Sequence, residues 1–162
     1  FLKMRQKSLF LIVVSALILT ISAQENWWDE CNAITLDSGN WEQYIGKDKH
    51  VFVDFFAPFC IWCKRLVPDY NRLVEMYHGE DRKRSDVVIA KINGKENYDI
   101  VRRYQVDHYP TLLLFEKGNP QLRGYFNLER SAESMYNWIE ALVPPDPPKE
   151  EIKVEPVNSQ GS

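Results

Sequence analysis

The chain has 162 residues, which is enough for one ordinary domain with tails. Hydrophobic residues make up 44% of it and charged residues 27%, a composition typical of a globular protein with a buried core. The formal net charge is only −3 and no long block of one sign occurs, so we expect no nucleic-acid-binding surface.

The N-terminal segment has the plan of a secretory signal peptide. Three basic residues precede an apolar stretch from Leu9 to Leu19, and small or polar residues follow up to Ala23. This stretch is shorter than the roughly 20 residues of a membrane-spanning helix, but an uncleaved signal anchor is the alternative. We therefore predict a signal peptide or signal anchor over residues 1–23, with membrane contact only if residues 9–23 are retained.

The charges around this segment predict where the main domain resides. Basic residues precede the apolar stretch, whereas Glu25, Asp29 and Glu30 follow it, which places the domain outside the cytosol. We expect the endoplasmic reticulum lumen or secretion, or membrane anchoring with the domain on the lumenal side. Disulfides persist in such oxidising compartments. At the other end, residues 144–162 are rich in proline and charge and are predicted to form a disordered tail.

Strand and helix patterns alternate within the predicted domain, residues 24–143. Short apolar runs predict strands over 33–36, 50–57, 86–92, 111–115 and 121–126, the last two paired as a hairpin. Apolar residues at helical spacing predict helices over 41–45, 60–77, 96–104 and 131–142. This order predicts an α/β fold with a central mixed sheet flanked by helices.

The sequence Cys60-Ile61-Trp62-Cys63 lies where a predicted buried strand passes into a helix. Free backbone N–H groups and the helix dipole stabilise a thiolate at a helix N-terminus. The three-residue spacing places both sulfurs on one face of the first turn, close enough to bridge. The first cysteine can then attack a partner disulfide, and the second can resolve the resulting mixed disulfide.

This cysteine pair has two other interpretations. A zinc site needs two further ligands, and His78 and His108 do not stand at ligand-like spacing from the cysteines, so we predict no metal. An inert structural disulfide is the stronger alternative, although a position at a helix start favours reactivity. We expect no bound cofactor, because the cysteines themselves carry the two electrons.

Two long segments resemble one known family. The segment VFVDFFAPFCIWCKRLVPDY resembles the active-site strand and helix of thioredoxins and protein disulfide isomerases, and YQVDHYPTLLLFEKG resembles their substrate-binding loop. The resemblance runs in order over nearly all of residues 33–142. It implies a thioredoxin fold and a protein disulfide isomerase-like thiol–disulfide oxidoreductase, acting on cysteine-containing client proteins of the secretory pathway together with a redox partner.

The resemblance also implies roles for individual residues. Cys60 would be the nucleophile and Cys63 the resolving thiol. Asp54 would be the buried acid that accepts the proton of Cys63 through water, because a desolvated carboxylate has a raised pKa. Lys91 would be the partner of this acid, with a surface lysine as the alternative. Arg130 would tune the resolving cysteine, with a plain helix-start arginine as the alternative.

The resemblance assigns substrate contacts to the loop before the fourth strand. Pro110 would be the family's cis-proline, which turns the Tyr109 backbone toward an extended substrate. Phe59, Ile61 and Trp62 depart from the family pattern and add apolar surface beside Cys60, suited to an unfolded chain or a fixed partner. The histidine of the isomerases is missing from the motif, so strong oxidant behaviour is not predicted.

Two structural questions stay open at the level of sequence, besides those of function. Cys31 is an odd cysteine, which predicts either a free thiol or an intermolecular bond. The neighbouring Trp27 and Trp28 can pack on the domain, on a partner or at a membrane interface. Because a fold alone does not establish activity, a non-catalytic client-binding or assembly module is the rival function. The direction of electron flow, the clients and the oligomeric state are left open.

Overall fold

A computed structural model describes residues 26–82 and 84–145, so the predicted leader (1–23) and nearly all of the predicted tail lie outside the described residues. Within these ranges one sheet contains strands β1 (Ile34–Leu36), β2 (His50–Phe56), β3 (Val87–Asn93), β4 (Thr111–Phe115) and β5 (Leu122–Phe126). The α-helices are α1 (Trp41–Tyr44), α2 (Ile61–His78), α3 (Tyr98–Arg103) and α4 (Ala132–Leu142). A 3₁₀ turn, Trp27–Glu30, precedes β1.

The sheet has the strand order β1-β3-β2-β4-β5, which places β2 at its centre. Strands β1, β2 and β3 run parallel, while β4 is antiparallel to both β2 and β5. Every residue of β2 and β3 is buried, as their continuous apolar runs predict for strands covered on both faces. The predicted mixed sheet is confirmed.

The two faces of the sheet form two separate cores. Because side chains alternate along a strand, Phe52 and Phe56 of β2 point to one face and Val53 and Phe55 to the other. The first pair belongs to the core that contains residues of α2, α4 and the 3₁₀ turn. The second pair belongs to the core that contains residues of α1 and α3. Helices therefore flank the sheet on both sides.

The predicted element boundaries agree with the structure to within one residue, except at α3. The helix expected from residue 96 begins at Tyr98 instead. A turn occupies the intervening residues, because the Asn93 side-chain oxygen accepts from the Lys95 N–H and the Asn93 carbonyl accepts from the Glu96 N–H. The 3₁₀ turn before β1 was not predicted. Among the described helices, none combines the length and apolar character of a membrane span.

Candidate active site

Cys60 and Cys63 form a disulfide with a Cα–Cα distance of 5.2 Å. Cys60 is the N-cap of α2, and its sulfur accepts a hydrogen bond of 3.1 Å from the Cys63 backbone N–H. Cys60 is half-buried, whereas Cys63 is only 1% exposed and belongs to the core beneath α2. The two sulfurs therefore differ in access, with Cys60 the one that a partner can reach.

Asp54 is a buried carboxyl near the middle of the molecule. It lies on β2, and the alternation of the strand places its side chain on the same face as Phe52 and Phe56, toward the core that contains Cys63. Burial raises the pKa of Asp54 to about 7, against the opposing charges of Arg130 and Lys91. One carboxyl oxygen has no hydrogen-bond partner within the described residues. A carboxyl of this kind can take up or release a proton near neutral pH.

Lys91 lies directly opposite Asp54 in the parallel pairing of β2 with β3. It is buried, so the surface-lysine alternative is wrong. Its ammonium donates hydrogen bonds to the backbone carbonyls of Trp28 and Cys31 rather than forming an ion pair with Asp54. Lys91 therefore interacts with the Asp54 carboxyl only through the long-range attraction of its charge. This attraction lowers the pKa of Asp54 less than burial raises it.

The Tyr109–Pro110 peptide bond is cis, and it lies just before β4. Because Thr111 pairs with Phe55, this loop is at the end of β2 from which the chain runs on to Cys60. Arg130 is exposed, as the helix-start alternative requires, but its guanidinium also donates a 3.1 Å hydrogen bond to the Pro110 carbonyl. Arg130 thus connects the start of α4 to the loop beside the disulfide.

Exposed apolar side chains surround the disulfide. Phe59 is 77% exposed, Ile61 57% and Trp62 60%. Two cations lie over nearby aromatic rings: the Lys95 ammonium is 5.4 Å from the Phe59 ring centre, and the Arg65 guanidinium is 4.7 Å from that of Trp62. Neither cation was predicted from the sequence. Arg65 had a visible signal, since Lys64-Arg65 directly follows Cys63, whereas Lys95 is brought to Phe59 only by the fold.

The 3₁₀ turn answers the two questions that the sequence left open. Trp27 is buried, and its indole N–H donates a 2.7 Å hydrogen bond to the carbonyl of Pro58, so it packs on its own domain. Trp28 stacks on Phe56, with ring centres 6.1 Å apart. Cys31 is a free, buried thiol, and burial is the main cause of its raised pKa. Such a thiol is inaccessible to another chain, which favours the free-thiol alternative.

The described residues contain no group of three or more His, Cys, Asp and Glu side chains that could hold a metal ion. The sequence-predicted residues instead collect at one end of the sheet. Cys60, Phe59, Ile61 and Trp62 follow β2, and Tyr109 and Pro110 precede β4 at the same end. Asp54 and Lys91 lie inside the sheet behind them, so a half-buried sulfur stands in front of a buried carboxyl and a buried ammonium.

Comparisons with known proteins identify the family. The thioredoxin family model matches residues 32–141, so the chain belongs to the thioredoxin family. It is 31% identical over 134 residues to protein disulfide-isomerase of Oryctolagus cuniculus, covering 82% of this chain and 26% of that protein. It is 33% identical over 108 residues to the probable protein disulfide-isomerase A6 of Medicago sativa, covering 67% of this chain and 28% of that protein.

Solved structures support the same fold. Human ERp44 in crystal form II is 24% identical, with a TM-score of 0.60, and the match covers 68% of this chain and 30% of that one. The first thioredoxin domain of mouse protein disulfide-isomerase A4 is also 24% identical, with a TM-score of 0.58, and the match covers 76% of this chain and 85% of that one. This chain spans about a quarter of the length of the curated relatives it matches. It is a protein disulfide isomerase-like member of the thioredoxin superfamily.

Proposed function

We propose that this protein is a thiol–disulfide oxidoreductase that exchanges disulfides with cysteine-containing proteins of the secretory pathway. The observation that carries the proposal is the asymmetry of the cysteine pair. A half-exposed Cys60 caps the N-terminus of α2, and its partner Cys63 is buried in the core that Asp54 faces. Exchange needs one accessible sulfur to attack and one protected sulfur to resolve.

In the reductive direction the reduced pair attacks a client disulfide. The Cys60 thiolate forms a bond to one client sulfur, and the other client sulfur leaves as a thiolate. Cys63 then loses its proton and attacks the Cys60 sulfur, which releases the second client thiolate and forms the Cys60–Cys63 disulfide. Two electrons pass from the protein to the client, and a dithiol or glutathione must reduce the pair again. The same steps in reverse oxidise a client dithiol.

Asp54 is proposed as the proton acceptor for Cys63. The thiol of Cys63 is buried and must lose its proton before it can attack. Because the pKa of Asp54 is about 7, its carboxyl is partly ionised at neutral pH and can accept that proton through a water molecule. Lys91 and Arg130 favour the ionised form of this carboxyl, since both lower its pKa. Lys91 and Arg130 are therefore proposed to act on the exchange through Asp54, whose pKa their charges lower.

We further propose that the domain works in the endoplasmic reticulum lumen or outside the cell. The basic start and apolar stretch of residues 1–23 support this location, and so does the use of a disulfide in the site. If residues 9–23 are retained, the domain would be anchored to the membrane on its lumenal side. An epitope-tagged full chain, located by microscopy and tested for protease protection, distinguishes the two arrangements.

The second candidate is a client-binding or assembly module that performs no exchange. The exposed Phe59, Ile61 and Trp62 favour it, because a contiguous apolar surface is suited to holding an unfolded chain. Under this hypothesis the Cys60–Cys63 bond would be too stable to exchange. Reduced, unfolded clients would bind to the protein equally well whether the bond is formed or absent.

The deciding experiment is the reduction potential of the Cys60–Cys63 pair. The full chain is equilibrated with graded glutathione buffers, and the alkylated peptide that carries both cysteines is measured by mass. The same samples are assayed for insulin reduction and for refolding of a scrambled disulfide substrate, with Cys60→Ser as control. We expect a reversible potential of roughly −120 to −270 mV, the range of working oxidoreductases, and activity that the variant lacks. A bond that does not exchange, or activity equal to that of the variant, favours the binding module.

A further inference from the structure

A shallow cleft opens beside the disulfide, between α2 and the start of α4. Its volume is about 320 Å³, and it is lined by Trp62, Arg65, Leu66 and Arg130. Leu66 is buried and forms an apolar floor, while Trp62 is largely exposed and forms one wall. The other two lining residues are cations. The cleft thus combines apolar surface with two guanidinium groups.

Among the described residues, these two guanidinium groups have no carboxylate at ion-pair distance, in contrast to four other arginines. Arg72, Arg84, Arg103 and Arg123 each form an ion pair with an Asp or Glu side chain. Within residues 26–82 and 84–145, neither Arg65 nor Arg130 has an acidic side chain at ion-pair distance. Two nearby carboxylates are engaged elsewhere, since Asp69 accepts from the Ala132 N–H and Glu133 pairs with Arg72.

The geometry of both arginines leaves donors available. The Arg65 guanidinium lies over the Trp62 ring at 4.7 Å from its centre, so its face is covered while its N–H groups point outward in the plane. Arg130 uses one nitrogen for the Pro110 carbonyl, and a guanidinium has five N–H donors in all. Such planar forks match the two oxygens of a carboxylate.

The charge pattern of α2 adds to the positive potential at this place. The first turn of the helix carries no acidic residue, although acidic residues stabilise that end of a helix. Lys64 and Arg65 follow immediately instead, which adds positive charge at the positive end of the helix dipole. Positive charge at this end of the helix does not stabilise the helix, but it does stabilise an anion that binds beside Cys60.

We propose that this cleft is a subsite for an acidic side chain of the client polypeptide. This inference rests on the proposed exchange activity and names the class of client that the site prefers. The carboxylate would pair with Arg65 and Arg130, and the alkyl part of the side chain would contact Trp62 and Leu66. Arg130 donates a hydrogen bond to the carbonyl of Pro110, which precedes β4. Because the start of β4 pairs with the end of β2, the subsite lies on the same side of the sheet as the loop before Cys60. The preferred clients therefore carry Asp or Glu a few residues from the reacting cysteine.

The test is a panel of short peptides, each with one cysteine in a disulfide with a neutral fluorescent thiol. Glu, Gln or Lys is placed in turn at each of three positions before and after the cysteine. The reduced full chain is mixed with each peptide, and the rate is divided by that measured with dithiothreitol. This ratio removes the effect of the substitution on the peptide's own disulfide. We expect this relative rate to be about twofold to fivefold higher with Glu than with Gln at one or two positions only, as for an exposed ion pair.

Two variants and salt separate a subsite from a general positive field. In Arg65→Gln the preference for Glu should fall toward one, whereas the matched change Arg72→Gln on the same helix should preserve it. The preference should also weaken in 1 M salt, because exposed charges are screened. An equal preference for Glu at all six positions would overturn the proposed subsite, and so would a preference that persists in Arg65→Gln. Neither result would contradict the proposed exchange activity. If the protein reduces none of the peptides, the proposed function fails, and the subsite fails with it.

Discussion

The indole N–H of Trp27 donates a 2.7 Å hydrogen bond to the carbonyl of Pro58, two residues before Cys60. Trp27 is buried, and its ring lies edge-on to Phe56 with the centres 5.6 Å apart. Lys91 holds the same 3₁₀ turn through the carbonyls of Trp28 and Cys31. The segment before the first strand therefore supports the loop that precedes Cys60.

This relationship predicts a specific effect of Trp27→Phe. The substitution removes the hydrogen bond to Pro58 and part of a buried ring, so we expect a loss of about 1 to 3 kcal/mol in the free energy of unfolding. We also expect a changed alkylation rate of Cys60 in the reduced protein, because the loop before it loses its anchor. Trp28→Phe is the matched control, since no hydrogen bond involves the Trp28 indole in the described structure. Equal alkylation rates in both variants would contradict the proposed support.

The difference in access between the two sulfurs predicts the behaviour of Cys63→Ser. Cys60 can still attack a client disulfide, but no second thiol can resolve the product. Mixed disulfides between the protein and its clients should therefore accumulate, visible as bands that disappear on reduction. Cys60→Ser should form none of them, because Cys63 is only 1% exposed. Equal trapping by the two variants would show that the exposure of Cys60 does not decide which sulfur attacks.

The buried acid predicts an unusual dependence of stability on pH. The pKa of Asp54 in the folded protein, about 7, lies above its ordinary value of 3.8, so the folded state binds more protons between these values. The contribution of protonated Asp54 to the free energy of unfolding is thus complete below about pH 4 and is lost as the pH rises toward 7. Relative to Asp54→Asn, which does not titrate, the oxidised wild type should lose up to about 4 kcal/mol of unfolding free energy.

Urea unfolding of both proteins in a pH series from 4 to 8 measures this difference. A constant difference across the series would mean that Asp54 keeps an ordinary pKa despite its burial. The same variant should also resolve mixed disulfides more slowly, by a factor of about 100 or more, because it lacks a proton acceptor for Cys63. Formation of the mixed disulfide by Cys60 should be affected much less.

Lys91→Met tests the connection between the acid and the 3₁₀ turn. The change removes the ammonium that donates to the carbonyls of Trp28 and Cys31, and only the Trp28 carbonyl keeps another donor, the Cys31 N–H, so we expect a loss of about 2 to 4 kcal/mol in the free energy of unfolding. It also removes a charge that lowers the pKa of Asp54, so the titration of that carboxyl should move upward. Carbon-13 NMR of the Asp54 carboxyl measures the shift, with the exposed Lys64→Met as control. An unchanged titration would mean that Lys91 does not act on the acid.

The sequence was sufficient to predict most of the fold, for a local physical reason. From Val51 to Phe56, β2 is apolar at every position except Asp54, which is typical of a strand covered on both faces. The helical spacing of apolar residues over 60–77 likewise predicted α2 to within one residue at each end. The start of α3 was predicted wrongly because the turn at Asn93 depends on side-chain hydrogen bonds that hydrophobic periodicity does not report.

By itself, the sequence determined the disulfide pair, since the spacing of Cys60 and Cys63 at a helix start is a local property of the chain. Tertiary structure alone decided what surrounds that pair. The Trp27 indole and the Pro58 carbonyl are 31 residues apart, and Arg65 and Arg130 line one cleft only because α2 packs against α4. The partners of Lys91 were decided in the same way, because a buried ammonium bonds whichever acceptors the folded chain brings within reach.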